Sequence, residues 1–274
     1  MQDGDDTAIA GVVITLTTDF GQRDPYLAAM KGAILSINPR AVIVDVSHSI
    51  EAGNIAEAAF VIGGAYNYFP RGTIHVVVVD PGVGSKRKAV ILEMPPFFFV
   101  APDNGVLSYV VDGKGEISPP LRAVSLSEPC FWRHEVSSTF HGRDIFAPVA
   151  AYLSLGTPLG KFGEEIRSLF AFPISHPRWA TKGKLVGHIV YIDRFGNLIT
   201  DIKDEDLPGK EVAVKVSGRC IDGLSRSYAE GGDLLALIGS NGYLEVAARN
   251  GDAAGLLGCV VGDEIRVSTK RGRR

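Results

Sequence analysis

Apolar runs divide the chain into two regions with different spacing. In the first region, three runs rich in Val and Ile alternate with stretches of helical periodicity, and this β-α-β-α-β order predicts a mostly parallel sheet covered by helices. The predicted strands are residues 12–17, 41–46 and 74–79, and the predicted helices are residues 25–37 and 54–68. The third run is apolar at nearly every position, which is typical of a strand buried on both faces.

After the third strand the first region changes character. Residues 89–94 and 97–101 read as two further strands separated by a pair of prolines. Residues 144–155 have helical spacing. Asp144 is the expected N-cap of this helix, and Pro148 falls in its first turn, where a proline is tolerated.

From Gly183 onward, short β-rich runs alternate with turns, and little helix is indicated. Several strands at regular spacing are typical of a small sandwich or barrel. We therefore predict an α/β N-terminal domain with a mostly parallel sheet over residues 12–180, and a smaller all-β, barrel-like C-terminal domain over residues 181–270. The proline-rich stretch 171–182 is the predicted connection between them.

Composition narrows the class of protein without identifying it. Of the 274 residues, 46% are hydrophobic and 22% are charged, which is ordinary for globular domains. A net charge of −3 and a pI near 6.1 give no electrostatic case for nucleic-acid binding. The basic tail at residues 270–274 (KRGRR) is typical of a solvated terminus. We therefore expect no nucleic-acid partner.

Cysteine content, the N-terminus and hydropathy predict a cytoplasmic protein with no membrane partner. The three cysteines are scattered and lack a C-x-x-C spacing, so neither a disulfide framework nor a zinc ribbon is indicated. The acidic N-terminus lacks the basic-then-apolar layout of a signal peptide. No apolar run approaches the length of a transmembrane helix.

Two segments bring reactive side chains to predicted strand ends and loops. One reads VVVVDPGVGSKR and the other STFHGRD, and together they contribute Asp80, Arg87 and His141. The Pro-Gly-Val-Gly turn after Asp80 lets the chain fold back, so that Arg87 can approach the carboxylate again. A carboxylate, a permanent cation and an imidazole that titrates near neutrality could hold and activate a small nucleophile such as water. A structural salt bridge and a surface histidine are the competing interpretations.

Two more acids, Asp19 and Asp45, lie at predicted strand ends, where ligands of open α/β sheets bind. For Asp45 we favour a helix or turn cap, whereas both a capping and a ligand role stay open for Asp19. The histidines other than His141 have no mutual metal-ligand spacing, so no metal site is predicted. The glycine motifs of Rossmann and P-loop proteins do not occur, which disfavours dinucleotide binding and P-loop hydrolysis.

In the second region, the turns at residues 191–197 and 239–247 combine aromatic, amide and acidic groups. Such groups could hold a flat, polar base. Ordinary turn chemistry is the alternative, because Asn and Gly dominate tight turns in any case.

Five motifs in a fixed order connect these residues to a known family. TTDFG, VVVVDPGVGSKR, APDNG, STFHGRD and YIDRFGN resemble the S-adenosyl-L-methionine hydroxide adenosyltransferases, which are S-adenosylmethionine hydrolases related to fluorinase and chlorinase. The resemblance spans residues 12–267 and leaves out only residues 1–11 and the basic tail. It implies the two domains predicted above and a homotrimer. Each active site is then expected between the N-terminal domain of one subunit and the C-terminal domain of its neighbour.

The resemblance also implies roles for individual residues. Asp80, Arg87 and His141 correspond to a triad that positions and activates water or hydroxide. Halide-using relatives have a tyrosine at the position of His141 and lack the Asp-Arg arrangement, so the resemblance favours a hydrolase. The implied substrate-binding residues are Asp19 for the ribose hydroxyls, Phe195 and Asn197 for adenine, Asp193 and Ser240 for the methionine end, and Glu245 with the Ala247 backbone for the rest of the nucleoside pocket.

The expected reaction is hydrolysis of S-adenosyl-L-methionine to adenosine and L-methionine by attack of water or hydroxide at the ribose C5′. S-adenosylmethionine is the substrate, and no separate cofactor is expected. His141 would act as a general base or would hold hydroxide by hydrogen bonding. Two alternatives stay open: a halogenase that makes a 5′-halo-5′-deoxyadenosine, and a non-catalytic protein that binds S-adenosylmethionine or adenosine.

Overall fold

The computed structural model describes residues 11–113, 115–209, 211–230 and 232–269. The predicted N-terminal extension, except for Gly11, and the basic tail lie outside these ranges. Contacts between Cα atoms divide the chain into two compact units, with the division between Ile174 and Ser175.

The first unit is built on a seven-stranded sheet. Its strands are β1 (Val13–Thr18), β2 (Val42–Ser47), β3 (Ile74–Val78), β4 (Ala89–Met94), β5 (Phe97–Pro102), β6 (Arg122–Ser125) and β7 (Glu165–Ile166), in the order β2-β1-β3-β5-β4-β6-β7. Strands β2, β1, β3 and β5 run parallel, whereas β4, β6 and β7 extend the sheet by antiparallel pairing. The predicted α/β domain is confirmed, and the parallel half is the part that carries crossover helices.

Three helices cover this sheet, and the alternating residues of β3 show how. The helices are α1 (Tyr26–Ile37), α2 (Ile55–Ala65) and α3 (Ala147–Ser154). Val76 packs in a cluster with Met30 of α1 and Val149 of α3, whereas Val77 packs in another with Ile62 of α2. Since successive side chains of a strand point to opposite faces, the sheet is buried on both sides. None of the helices in the described ranges has the length and apolarity needed to cross a bilayer.

The segment before α3 differs from the prediction, and Asp144 is not an N-cap. Residues Gly142–Phe146 form a turn of π-helix that continues into α3. The Asp144 side chain is fully buried within it, where the carboxylate accepts from the backbone N–H of Ser137 at 2.9 Å and from the guanidinium of Arg143 at 2.6 and 2.9 Å. Although burial opposes ionisation, these donors hold the pKa of Asp144 below its usual value. The carboxylate therefore fastens the preceding loop to the helix instead of capping it.

The second unit is all-β and barrel-like, as predicted. Its strands are β8 (Arg178–Thr181), β9 (Lys184–Ile192), β10 (Leu198–Lys203), β11 (Val212–Val216), β12 (Arg219–Asp222), β13 (Leu234–Ile238), β14 (Tyr243–Ala248) and β15 (Glu264–Thr269), with one short helix, α4 (Ala253–Leu257). The strands pair antiparallel in the order β12-β11-β15-β9-β10-β14-β13, and β8 joins β9. Strand β8 lies within the stretch predicted as a connection.

One buried histidine makes the stability of the first unit depend on pH. His75 of β3 has no exposed surface, its Nδ1 lies 2.8 Å from the Thr15 hydroxyl, and its ring stacks on Phe99. Burial lowers the pKa of His75 to about 4. In the unfolded chain this imidazole takes up a proton near pH 6.5, which the folded protein resists until about pH 4, so stability falls as the pH decreases through this window.

We expect the free energy of unfolding to decrease by about 2 kcal/mol from pH 7 to pH 5 through this group alone. Urea denaturation at the two pH values measures the difference. His75→Phe removes the titrating group and should make this part of the pH dependence disappear. His134→Gln changes an exposed histidine and should leave it in place. An unchanged pH dependence in the His75 variant would contradict the assignment.

Candidate active site

Asp80 and Arg87 form a buried ion pair at the end of β3. The Arg87 Nε lies 2.9 Å from each carboxylate oxygen of Asp80, and its Nη2 also donates to Oδ2. Only 5% of the Asp80 side chain and 10% of the Arg87 side chain are exposed. The turn between them therefore folds back as the sequence predicts. The guanidinium also lies over the Phe146 ring, 5.3 Å from its centroid.

His141 joins this pair as the residue directly before the π-helical turn of Gly142–Phe146. Its Nδ1 lies 2.8 Å from the Arg87 Nη2. An arginine can only donate hydrogen bonds, so Nδ1 must be the acceptor, and the neutral ring must carry its proton on Nε2. Burial and the Arg87 charge lower the pKa of His141, although Asp80 and Asp144 oppose the shift. Asp80, Arg87 and His141 thus form one hydrogen-bonded chain.

A close backbone approach brings the two segments together. Gly84 has a φ of +76°, and a Cβ at this position would lie 2.4 Å from the backbone oxygen of Ser138. Only glycine combines this backbone conformation with this contact. The loop that carries Arg87 can therefore pack directly on the turn at Ser138 that precedes His141.

Asn104, for which no role is predicted from sequence, supports the same strand end. Its side-chain amide donates to the backbone oxygen of Val79, the residue before Asp80, at 2.9 Å, and its Oδ1 accepts from Val106. The APDNG motif contains Asn104 and was the sequence signal that could have identified this residue. Asn104 fixes the direction in which the chain leaves β3.

An open cavity of about 500 Å³ lies beside these residues. Asp80 and His141 line it, and so does Asp19, whose Oδ2 accepts from the backbone N–H of Gly53 at 2.8 Å. Three aromatic side chains that were not predicted as site residues contact one another in its wall at interplanar angles of 60° to 81°, with ring centroids 5.2 to 5.9 Å apart: Phe20, Tyr26 and Phe140. The cavity combines a charged end with an aromatic wall.

Asp45 does not line this cavity, and it is not a cap. Its Oδ2 accepts from the Lys31 ammonium at 2.7 Å, and its Oδ1 lies 3.1 Å from Nε2 of His48. The favoured capping interpretation is therefore wrong. Asp45 instead forms an ion pair with Lys31 that links β2 to α1.

The second unit has its own open cavity, of about 650 Å³. Asp193, Phe195 and Asn197 all line it. The Asp193 carboxylate accepts from the backbone N–H groups of Phe195 and Asn197 and from the Asn197 side chain, each at 2.9 Å. These bonds shape the turn, and 75% of Phe195 is left exposed. Tyr228 and Arg249, which are not predicted from sequence as site residues, also line the cavity.

The remaining candidates of the second unit lie elsewhere. The described residues that line this cavity do not include Ser240, Glu245 or Ala247. Glu245 is buried behind Tyr228, whose hydroxyl donates to its Oε2 at 2.9 Å. Burial and the nearby Asp193 raise the pKa of Glu245 despite this bond, and burial together with Glu245 raises the pKa of Tyr228 to about 12. Glu245 is thus in a position to orient the Tyr228 ring.

No cluster of three or more metal-ligating side chains occurs in the part of the chain that the structure describes. The candidate chemistry therefore rests on Asp80, Arg87 and His141 in the first unit and on the polar and aromatic groups of both cavities.

Comparison with known proteins assigns the chain to a family. A family model described as the SAM hydroxide adenosyltransferase N-terminal domain matches residues 14–163, and one described as the C-terminal domain of the same family matches residues 187–266. The chain belongs to the SAM hydroxide adenosyltransferase family. The two matched segments together span most of the chain and fall on either side of the division between the two units.

Relatives within the family carry two kinds of name. Proteins named (R)-S-adenosyl-L-methionine hydrolase from Methanocaldococcus jannaschii and Thermus thermophilus are 35% and 36% identical to this chain. These alignments cover 93% and 91% of this chain and 95% and 97% of the relatives. A protein named fluorinase from Nocardia brasiliensis is more distant, at 28% identity over 86% of this chain and 89% of its own.

The fold is shared with solved structures. An uncharacterised conserved protein from Thermotoga maritima superimposes with a TM-score of 0.85 at 34% identity, covering 93% of this chain and 99% of its own.

Proposed function

We propose that this family member hydrolyses S-adenosyl-L-methionine to adenosine and L-methionine. The observation that carries the proposal is the hydrogen-bonded chain of Asp80, Arg87 and His141 at a cavity that Asp19 also lines. The greater similarity to relatives named hydrolase than to those named fluorinase supports the same reaction.

The nucleophile is a water-derived oxygen held by His141. Because Nδ1 accepts from Arg87, Nε2 carries a proton and can donate to that oxygen, but it cannot take up another proton while the Arg87 bond is kept. Of the two roles open to His141, this geometry therefore supports the donor role over the general base. Arg87, fixed by Asp80, adds positive charge where hydroxide would sit.

The nucleophile is hydroxide taken up from solvent, and the proton of its parent water stays in bulk water, so the bond changes balance without a further reactant. The hydroxide oxygen forms a bond to the ribose C5′ while the bond from C5′ to sulfur breaks, and its electron pair stays on sulfur. Methionine leaves as a neutral thioether, so the leaving group needs no proton. Alignment of oxygen, carbon and sulfur supplies much of the rate enhancement.

Substrate binding draws on both units of the protein. Asp19 is proposed to hold the ribose hydroxyls, and Phe195 and Asn197 are proposed to contact adenine. The methionine end is proposed to contact Asp193 and Ser240. The rest of the nucleoside pocket is proposed to be formed by Glu245 and the backbone of Ala247. A homotrimer with active sites between subunits is part of this proposal, and the exposed ring of Phe195 beside an open cavity supports it. Equilibrium ultracentrifugation tests the trimer.

The reaction is tested by incubating the protein with S-adenosylmethionine, as separated sulfonium epimers, with and without chloride or fluoride. Chromatography of the products is expected to show adenosine and methionine in equal amounts. A 5′-halo-5′-deoxyadenosine as the main product would indicate a halogenase. Binding without turnover would indicate a non-catalytic protein. Because the hydrolases among the relatives are named for the (R) epimer, we expect this protein to prefer it as well.

Gly84 offers a test of the packing that assembles the triad. Gly84→Ala is expected to lower the rate of adenosine formation at least tenfold, because the methyl group must push Ser138 and the His141 turn away from Arg87. Gly72→Ala is the matched control, since Gly72 has a similar φ of +84° but open space around its Cβ position. It should cost about 1 kcal/mol of stability and leave the rate unchanged. Equal rates for the two variants would contradict the role of the close approach.

A further inference from the structure

A second group of buried polar side chains lies behind Asp19, and the proposed reaction does not use it. His48 follows β2 and is only 3% exposed, and Thr18, the last residue of β1, has no exposed surface. The His48 Nδ1 lies 2.8 Å from the Thr18 hydroxyl. Burial of an imidazole and a hydroxyl in this way is unfavourable unless they bond each other or another polar group.

The segment that begins at His48 holds the turn of residues 18–21 at three points. The first is the bond between His48 and the Thr18 hydroxyl, and the second is the backbone N–H of Gly21, which donates to the His48 oxygen at 2.8 Å. The third is the Gly53 N–H, which donates to the Asp19 carboxylate. Asp19 and Phe20 lie inside this turn and line the cavity. The direction of the Asp19 carboxylate therefore depends on His48 as well as on Gly53.

The charges around His48 determine which ring nitrogen carries the proton. The Nε2 lies 3.1 Å from the Asp45 Oδ1, a close contact without the alignment of a hydrogen bond. A carboxylate at this distance favours a proton on Nε2, which leaves Nδ1 as an acceptor. The Thr18 hydroxyl can then donate to Nδ1 while its oxygen accepts from the backbone N–H of Phe20 at 3.2 Å. The bonds thus run in one direction, from the cavity turn to His48.

We propose that His48, together with Thr18, is a positioning residue that fixes Asp19 for contact with the ribose hydroxyls. This inference rests on the proposed role of Asp19 in substrate binding. It assigns His48 to substrate affinity, in contrast to His141, which is assigned to the chemical step. His48 itself does not line the cavity, so it acts only through the turn.

Two nucleosides separate this role from a general structural one. Adenosine carries both ribose hydroxyls, and 2′,3′-dideoxyadenosine lacks them. Calorimetric titration should show that His48→Leu weakens adenosine about tenfold and changes dideoxyadenosine less than twofold. The KM for S-adenosylmethionine should rise by a similar factor, with kcat within threefold of wild type. Partial unfolding would instead lower the number of binding sites and kcat together and leave both affinities unchanged.

Further variants keep the test decisive if His48→Leu folds poorly. Thr18→Val has nearly the same shape and removes the hydroxyl, and it should produce the same selective loss. His48→Asn places an amide near Nδ1 and should recover most of the adenosine affinity. His176→Gln, at an exposed histidine, is the control that should change nothing.

Each contrary outcome overturns a defined statement. If the wild type binds the two nucleosides equally, then the ribose contact of Asp19 is wrong, and the role of His48 falls with it. If the wild type prefers adenosine and both His48→Leu and Thr18→Val keep that preference, then the positioning role alone is wrong.

Discussion

Replacement of Arg87 by lysine is expected to reduce adenosine formation about a thousandfold, although the positive charge is kept. The guanidinium contacts Asp80 through two nitrogens and reaches His141 with one of them. A single ammonium cannot bond the carboxylate in this way and also hold the imidazole. The loss should appear in kcat, because Arg87 acts on the nucleophile and not on the nucleoside. Initial rates of adenosine release over a range of S-adenosylmethionine concentrations measure it.

A neighbouring lysine provides the control for this variant. Lys86 is exposed, so Lys86→Gln removes one positive charge from the same loop and should leave kcat unchanged. Adenosine should bind Arg87→Lys within about threefold of its wild-type affinity, which shows that the pocket is intact. Retention of more than half of the wild-type rate by Arg87→Lys would show that the two-nitrogen contact is not needed.

The sequence predicts the fold well because its strongest signals are periodic and local. The apolar runs at β1, β2 and β3 and the alternating pattern of the second region lead to the correct class for both units. The ion pair of Asp80 and Arg87 is also predictable, because a Pro-Gly-Val-Gly turn limits where the chain can go. The position of His141 beside Arg87 is a contact between residues 54 apart in sequence. Only the family resemblance indicates it before the structure is known.

The features that sequence reasoning misses depend on burial. Asp144 in front of a helical pattern reads as an N-cap, but the π-helical turn buries its carboxylate against Arg143 and Ser137. The local sequence predicts a cap at Asp45, because its actual partner, Lys31, lies on another element and cannot be recognised from the neighbouring residues. His48 carries no local signal at all, since its partner Thr18 is 30 residues away. Asp45 and His48 thus bond partners on other elements, whereas Asp144 bonds nearby residues in a buried turn that the sequence pattern does not indicate.

A pair of substitutions at His141 separates a hydrogen-bond donor from a general base. His141→Ala is expected to lower kcat about a thousandfold, because it removes the N–H donor and the acceptor for Arg87 together. His141→Gln offers an amide oxygen to Arg87 and an N–H to the nucleophile, yet it takes up no proton near neutral pH. If His141 is a donor, then the glutamine variant should keep about a tenth of the wild-type kcat. If His141 is a base, then glutamine should be as inactive as alanine.

The pH profile gives an independent measure of the same role. Burial and the Arg87 charge lower the pKa of His141, so the imidazole is neutral at pH 7 and becomes protonated only at a pH below its ordinary value of about 6.5. Protonation removes the acceptor at Nδ1, and activity should therefore fall at the acid end of the profile. Hydroxide becomes scarcer at low pH in every variant, so the test is the ratio of the wild-type kcat to that of His141→Gln, which should decrease at the acid end, whereas the ratio to His134→Gln, at an exposed histidine, should stay constant. A constant ratio between wild type and His141→Gln across the acid range would contradict the role of the neutral His141.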